Sequence, residues 1–194
     1  MRIIAGEWRG RNLLAPEGQT TRPITDRVKQ SVFDMLAPRI EGARVYDCFA
    51  GTGSLGLECL SRGALTAVFF ESDSSAVARL RRNISEVAAE SRGRIVSGDI
   101  FRWFENSRNP AERADIVFLD PPYRFLSERA NELKRLAEIV AERHLAPGGI
   151  VVLRRSIQDN LELPPLQRYD LREYGSMAVE FLTVVENKDA STSV

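Results

Sequence analysis

Cysteine and histidine are scarce in this 194-residue sequence, which holds two cysteines (Cys48, Cys59) and one histidine, His144. That inventory argues against a disulfide scaffold and against a Cys/His zinc site, and no metal is expected. Both cysteines fall in apolar stretches and read as small buried hydrophobes. One histidine leaves little room for a Ser/His/Asp hydrolase. In its helix-end context, Glu142-Arg143-His144-Leu145, a surface or capping position is expected for it. Long apolar runs are missing too; none approaches the ~18 residues of a membrane span. The N-terminus turns polar by Glu7, too soon for a secretory leader. These absences together predict a soluble, cytoplasmic chain. An excess of charge of one sign is also lacking, with 27 basic and 27 acidic residues.

What is present is ordinary globular composition, 43% apolar and 28% charged, in a chain long enough to bury its own core. The charge is unevenly spread. Residues 1–40 carry seven basic groups (Arg2, Arg9, Arg11, Arg22, Arg27, Lys29, Arg39) against four acids. Such local positive potential attracts polyanions at zero net charge, although on charge alone a solvated surface explains it better. From residue 41 onward, short apolar runs alternate with helical patterns. Strands are predicted at Arg44–Phe49, Thr66–Glu71, Arg94–Ser97, Asp115–Asp120 and Gly149–Arg154. Helices are predicted at Leu55–Ser61, Ser74–Ala89, Ile100–Glu105 and Ser127–His144. Continuously apolar strands between helices indicate an α/β, doubly wound parallel sheet covered on both faces. Two further strands, Arg168–Tyr174 and Val179–Glu186, are joined at Gly175-Ser176 and predict a C-terminal antiparallel pair. At the other end, Arg2–Ala5 and Arg11–Leu14 read as a small hairpin and Thr25–Leu36 as a helix. The expected organisation is a basic extension (1–40), one α/β domain (41–186) and a flexible polar tail (187–194).

Asp47-Cys48-Phe49-Ala50-Gly51-Thr52-Gly53 links the first domain strand to its helix. With Gly56 it matches G-x-G-x-x-G, so a nicotinamide-dependent dehydrogenase has to be weighed. Glycines permit a sharp turn and a close approach of ligand to backbone. Glu71 ends the second strand, where an acid accepts hydrogen bonds from an adenosine ribose; Asp73 is its rival. Asp99, before Ile100, suits either an adenine amino group or the cap of the following helix. Together these positions describe a site for an adenosine-type cofactor without saying which.

Asp120-Pro121-Pro122-Tyr123 is the most specific feature. Consecutive prolines stiffen the chain and hold Asp120 extended. The Asp120 carboxylate and the Pro121 carbonyl then offer two acceptors to one amino group, and Tyr123 a flat face for a base. A nucleobase amine is a poor nucleophile because its lone pair is delocalised into the ring. Fixed acceptors draw the nitrogen towards tetrahedral geometry and aim it at a methyl donor, a positioning effect worth about 7–11 kcal/mol in favourable cases. A dehydrogenase leaves this tetrapeptide without a task.

In this order, Asp47–Gly53, Glu71, Asp99 and Asp120–Tyr123 resemble class I S-adenosyl-L-methionine-dependent amino-methyltransferases. Met1-Arg2-Ile3-Ile4-Ala5-Gly6-x-Trp8-Arg9-Gly10-Arg11, Arg22-Pro23-x-Thr25-Asp26-Arg27-Val28 and Tyr174-Gly175 further resemble the RsmD family, bacterial enzymes that methylate N2 of a guanine in 16S rRNA. The resemblance implies a Rossmann-like seven-stranded sheet, S-adenosyl-L-methionine as cofactor, and small-subunit rRNA as partner, naked or in an assembling subunit. It implies Asp120, Pro121, Pro122 and Tyr123 as catalytic residues. Asp47, Phe49, Ala50, Gly51, Thr52, Gly53, Glu71, Asp99 and Ile100 are then the cofactor contacts. Arg2, Arg9, Arg11, Arg22, Arg27 and Lys29 are candidate RNA contacts, and a monomer is expected. One departure stands out: many relatives carry an acid after the fifth strand, where this chain has Arg154-Arg155. DNA and protein-glutamine methylation remain alternatives. The first typically needs a large target-recognition region, and the second usually has Asn before Pro-Pro.

Overall fold

The computed structural model describes residues 1–15, 25–107, 110 and 112–184. Arg22 and the tail at 187–194 lie outside the described residues. Seven strands form one sheet: β1 Arg44–Cys48, β2 Thr66–Glu71, β3 Gly93–Ser97, β4 Ala114–Leu119, β5 Leu145–Ser156, β6 Leu166–Tyr174 and β7 Met177–Val184, in the order β3-β2-β1-β4-β5-β7-β6. β1 to β5 pair in parallel, while β7 pairs antiparallel with both β5 and β6. The fold class read from the sequence holds, C-terminal antiparallel pair included.

Side-chain alternation along the strands sorts two cores. Val45, Phe69, Ile116, Phe118 and Val152 pack on one face against α1 (Asp26–Ile40), α2 (Ser54–Ser61) and α3 (Ser74–Glu86). Tyr46, Phe70, Val117, Leu119 and Leu153 pack on the other against α4 (Ile100–Asn106), α5 (Phe125–Glu128) and α6 (Ala130–Ile139). Burial on both sides explains why these strands read as continuous apolar runs. The first face also takes in Ile3, Trp8 and Leu13, so the N-terminal residues share the sheet's core.

Local chemistry sets several element ends. Thr25 caps α1 by accepting from the Val28 amide. That helix runs past the expected Leu36, through Pro38 to Ile40, whose side chain is buried. The predicted helix Ser127–His144 is broken at Arg129, which leaves helical geometry (φ −125°, ψ 29°) between α5 and α6, and it closes in a π turn, Val140–His144. The Arg129 guanidinium lies 4.1 Å from the Phe101 ring centroid and pairs with Glu132. The predicted N-terminal strands reduce to one bridge, Arg2 with Asn12, flanked by Ile3 N–H to Arg11 O and Gly10 N–H to Ile3 O. Leu13 N–H also donates to Met1 O, while the Ile4 and Ala5 amides bond to Glu58 of α2 and the Leu14 amide to Asn83 of α3.

His144 is not at the surface. It is fully buried, within 2.8 Å of Ser107 Oγ and edge-on to Phe104. Burial pushes its pKa down to about 4.

Candidate active site

The carboxyl ends of β1, β2, β3 and β4 converge, and the loops that follow them are tied together by short backbone bonds. Ala50 N–H donates to Phe70 O (2.9 Å), Gly98 N–H to Glu71 O (2.9 Å) and Asp120 N–H to Cys48 O (3.4 Å). In the sheet order, β1 and β4 are neighbours whose connections leave in opposite directions, and such a crevice is where open α/β sheets bind ligands.

The three loop glycines serve different ends. Gly51 (φ +55°) and Gly53 (φ +83°) adopt left-handed backbone. A Cβ on Gly51 would meet open space, so the turn there leaves room for a ligand. A Cβ on Gly53 would sit 2.4 Å from Leu80 Cδ1, and one on Gly56 would sit 2.3 Å from the Phe69 ring. Those two glycines let α2 pack tightly on the protein itself. Phe49 also has positive φ (64°), a costly conformation for a bulky side chain. Its ring lies 5.9 Å from Phe101 and 6.1 Å from Phe125. At the start of α2, Ser54 Oγ is buried and has no hydrogen-bond partner among the described residues.

The acids divide their roles. Glu71 Oε2 accepts from Gly51 N–H (2.7 Å), and Oε1 accepts from the Ser72 and Asp73 amides (2.8 Å each). Three of roughly four acceptor positions are thus in use, which fixes the carboxylate and leaves one direction open. Asp73 caps α3 by accepting from the Ala76 amide (2.7 Å). Asp99 Oδ1 caps α4 through Phe101 and Arg102, while Oδ2 lies 3.6 Å from Arg129. Ile100 beside it is buried in the second core. A groove lined by Arg94, Gly98, Asp99, Ile100 and Trp103 borders this end of the site and takes in neither Gly51 nor Asp120.

Asp47, expected among the cofactor contacts, is 1% exposed, and its Oδ2 accepts from Gly56 N–H (2.8 Å). It braces the glycine loop from below. Burial pushes its carboxyl up to about 8; the Gly56 bond opposes that rise, and the nearby Asp120 and Glu71 charges reinforce it. The folded chain therefore holds a proton that the unfolded chain releases near pH ~3.9. The stability this contributes is complete below that value and is lost as pH rises towards about 8. Asp47→Asn keeps the acceptor for Gly56 and removes the titration. The melting temperature of the variant relative to the parent is expected to climb between about pH 5 and pH 8, and a difference independent of pH would show that Asp47 titrates normally.

Asp120 follows β4, partly buried beside buried Pro121 and half-buried Pro122, and Tyr123 is 40% exposed at the mouth. Arg154 Nε donates to Asp120 Oδ1 at 2.5 Å. The register makes them neighbours: Cys48, Leu119 and Leu153 lie side by side, so the next step along each strand brings Asp120 alongside Arg154. The second arginine, Arg155, turns away to a buried pair with Glu180.

A family model described as "Conserved hypothetical protein 95" matches residues 1–183. Ribosomal RNA small subunit methyltransferase D of Escherichia coli K12 is 41% identical over 136 residues, 69% of this chain and 67% of that protein. The Haemophilus influenzae protein of the same name is 38% identical over 135 residues, 69% of each chain. The chain belongs to the RsmD family. The solved structure of the Escherichia coli protein yhhF superposes with a TM-score of 0.81 at 28% identity, covering 96% of this chain and 99% of that one.

The structure sorts the candidate RNA contacts of this RsmD-family chain. Arg9, Arg11 and Arg27 are exposed and have no ion-pair partner among the described residues. Arg2 is 58% exposed at its side chain and pairs with Asp26 at 2.7 Å. Lys29 does not reach the surface. It is 1% exposed and paired with the equally buried Glu58 at 2.8 Å, which rules out a contact to a phosphate. Glu58 also accepts from the Ile4 and Ala5 amides and from Arg62. Asn83 on α3 accepts from Leu14 N–H and donates to Thr52 O in the glycine loop. Tyr174 of the RsmD-like Tyr174-Gly175 pair donates to, or accepts from, Ser31 on α1 at 2.6 Å. Glu58 and Asn83 carry no local signal in the sequence, and Arg154 enters there only as a departure from the family pattern. For Arg154 a signal existed, since it ends its apolar run as Asp120 ends the neighbouring one.

Proposed function

We propose that this RsmD-family enzyme methylates the exocyclic N2 amine of a guanine in small-subunit (16S) rRNA, with S-adenosyl-L-methionine as donor. The observation that carries the reading is Asp120, held at the end of β4 by its bond to Cys48 O, beside the glycine loop and against the two prolines. The residues suit an adenosine-type donor: open space over Gly51, an anchored Glu71, and the unpartnered Ser54 hydroxyl at the head of α2. Gly51, Glu71, Asp99 and Ile100 would hold it, with Asp99 acting through Oδ2. When bound, it supplies a methyl group on a positively charged sulfur, an already activated leaving group.

The protein's own part is positioning. Asp120 and the Pro121 carbonyl accept from the two amine hydrogens and turn the nitrogen lone pair outward. Tyr123 stacks on the base, a contact worth about 1–3 kcal/mol. A guanine amine inside a helix is out of reach, so the base is unstacked before it enters. We assign Arg9, Arg11 and Arg27, exposed and without an ion-pair partner among the described residues, to the phosphates around it. The bacterial relatives named for small-subunit rRNA favour this substrate over DNA.

The test is transfer of labelled methyl groups to naked 16S rRNA, to assembled small subunits and to tRNA, followed by nucleoside analysis. N2-methylguanosine in rRNA alone is expected, and label on another atom or only on tRNA would overturn the assignment. Replacing both Arg9 and Arg11 by alanine is expected to weaken RNA binding and to flatten its salt slope by about 1.4–1.8. Donor affinity and melting temperature should not change. An unaltered slope would move RNA recognition off this segment.

A further inference from the structure

Arg154 is the group on the site wall that the proposed chemistry leaves without a task, and its placement gives it one. It ends the apolar run of β5 as Asp120 ends that of β4, in adjacent register, so the strands themselves bring the two side chains together. Both are largely withdrawn from solvent, at 13% and 17% side-chain exposure, and Nε meets Oδ1 at 2.5 Å. A carboxylate on a loop can rotate; one gripped at Oδ1 by a guanidinium anchored in a strand is held in a single orientation. We propose that Arg154 is the positioning residue for Asp120, gripping one carboxylate oxygen so that the other is presented, ionised, to the target amine. The inference rests on Asp120 being the amine acceptor.

The charges around Asp120 make such a partner necessary. Burial pushes the Asp120 carboxyl up, and Arg154 is what opposes that rise. Asp47 on β1 is a second acid close by, so it adds no help, and Lys29 on α1 is committed to Glu58. Tyr123, in the loop, lies near Arg154 as a further polar group. Glu180 on β7 is taken by Arg155 and Arg168 and does not compete for Arg154. A protonated Asp120 would keep its shape and lose much of its strength as an acceptor, because charge-assisted hydrogen bonds are roughly twice as strong as neutral ones.

The experiment compares the parent, Arg154→Gln and Arg154→Lys by turnover against pH and by carbon NMR of carboxyl-labelled aspartate, with the Asp120 signal assigned from Asp120→Asn. In Arg154→Gln the Asp120 titration should move up by about 1–3 pH units. The acidic limb of the turnover profile should move with it, while KM for S-adenosyl-L-methionine stays unchanged. Arg154→Lys, which restores the charge without the planar fork, should recover most of the titration and part of the turnover. Titration and profile both unmoved in Arg154→Gln would overturn the inference, as would loss of donor binding along with activity in both variants. Near-normal turnover in Asp120→Ala would instead remove the amine-acceptor reading, while the NMR titration still reports whether the ion pair is as described.

Discussion

Asp120→Ala is expected to lower the rate of methyl transfer by about a hundred- to a thousandfold, the loss typical for one preorganised hydrogen-bonding group acting on the reacting centre. The affinity for S-adenosyl-L-methionine should hardly change. The donor would be gripped by the loop after β1 and by Glu71, whereas Asp120 belongs to the loop after β4 and would serve the amine. An interaction used mainly on the way to the transition state shows in turnover and not in ground-state binding. Two measurements separate these quantities: single-turnover kinetics with saturating RNA, and calorimetric titration with S-adenosylhomocysteine. Because the substitution also removes the Asp120 carboxylate that Arg154 pairs with, a melting curve belongs beside them. Asp120→Asn keeps the shape and one acceptor oxygen without the charge, so its rate should fall between the two. Turnover near the parent's in the alanine variant would end the amine-polarising mechanism.

Lys29→Met is expected to be the most damaging change away from the reaction centre. Removing one member of a buried ion pair costs about 3–5 kcal/mol, since the charge left behind loses part of its compensation. At about 2–4 °C per kcal/mol for a chain of this size, the melting temperature should drop by about 6–20 °C. Glu58 would keep Arg62 and the Ile4 and Ala5 amides, and Arg2 O would lose the Lys29 ammonium. Adding Glu58→Gln should restore part of the loss, because a neutral amide then replaces the buried carboxylate that lost its lysine, although Arg62 gives up its ion pair. A drop of a degree or two in the single variant would mean that Arg62 and the two amides compensate Glu58 without the lysine.

What the sequence disclosed and what it hid divide along a physical line. Apolar runs, glycine turns and Asp-Pro-Pro-Tyr are local patterns, and the sheet, the glycine loop and the site at the strand ends could be read from them. Lys29 could not. A lysine among basic residues reads as surface, and the acid that holds it, Glu58, lies on another helix. His144 was misplaced for the same reason, its partner Ser107 being a contact between distant segments. Asp99 illustrates a milder case: cap and ligand contact were equally legible, and the structure shows the cap at Oδ1. Arg129 broke a helix that looked continuous because the ring beneath it, Phe101, belongs to α4.

The way residues 1–15 are fastened bears on how such enzymes can be recombined. Their amides bond to Glu58 and Ser61 of α2 and to Asn83 of α3, and Asn83 reaches on to Thr52. The N-terminal segment is therefore not a detachable module. A chimera that exchanges residues 1–40 with those of a relative must carry Glu58, Ser61 and Asn83 along with them. Transplanted alone, the segment would leave backbone donors facing the wrong acceptors, and the fault would be passed through Thr52 to the loop that receives the donor.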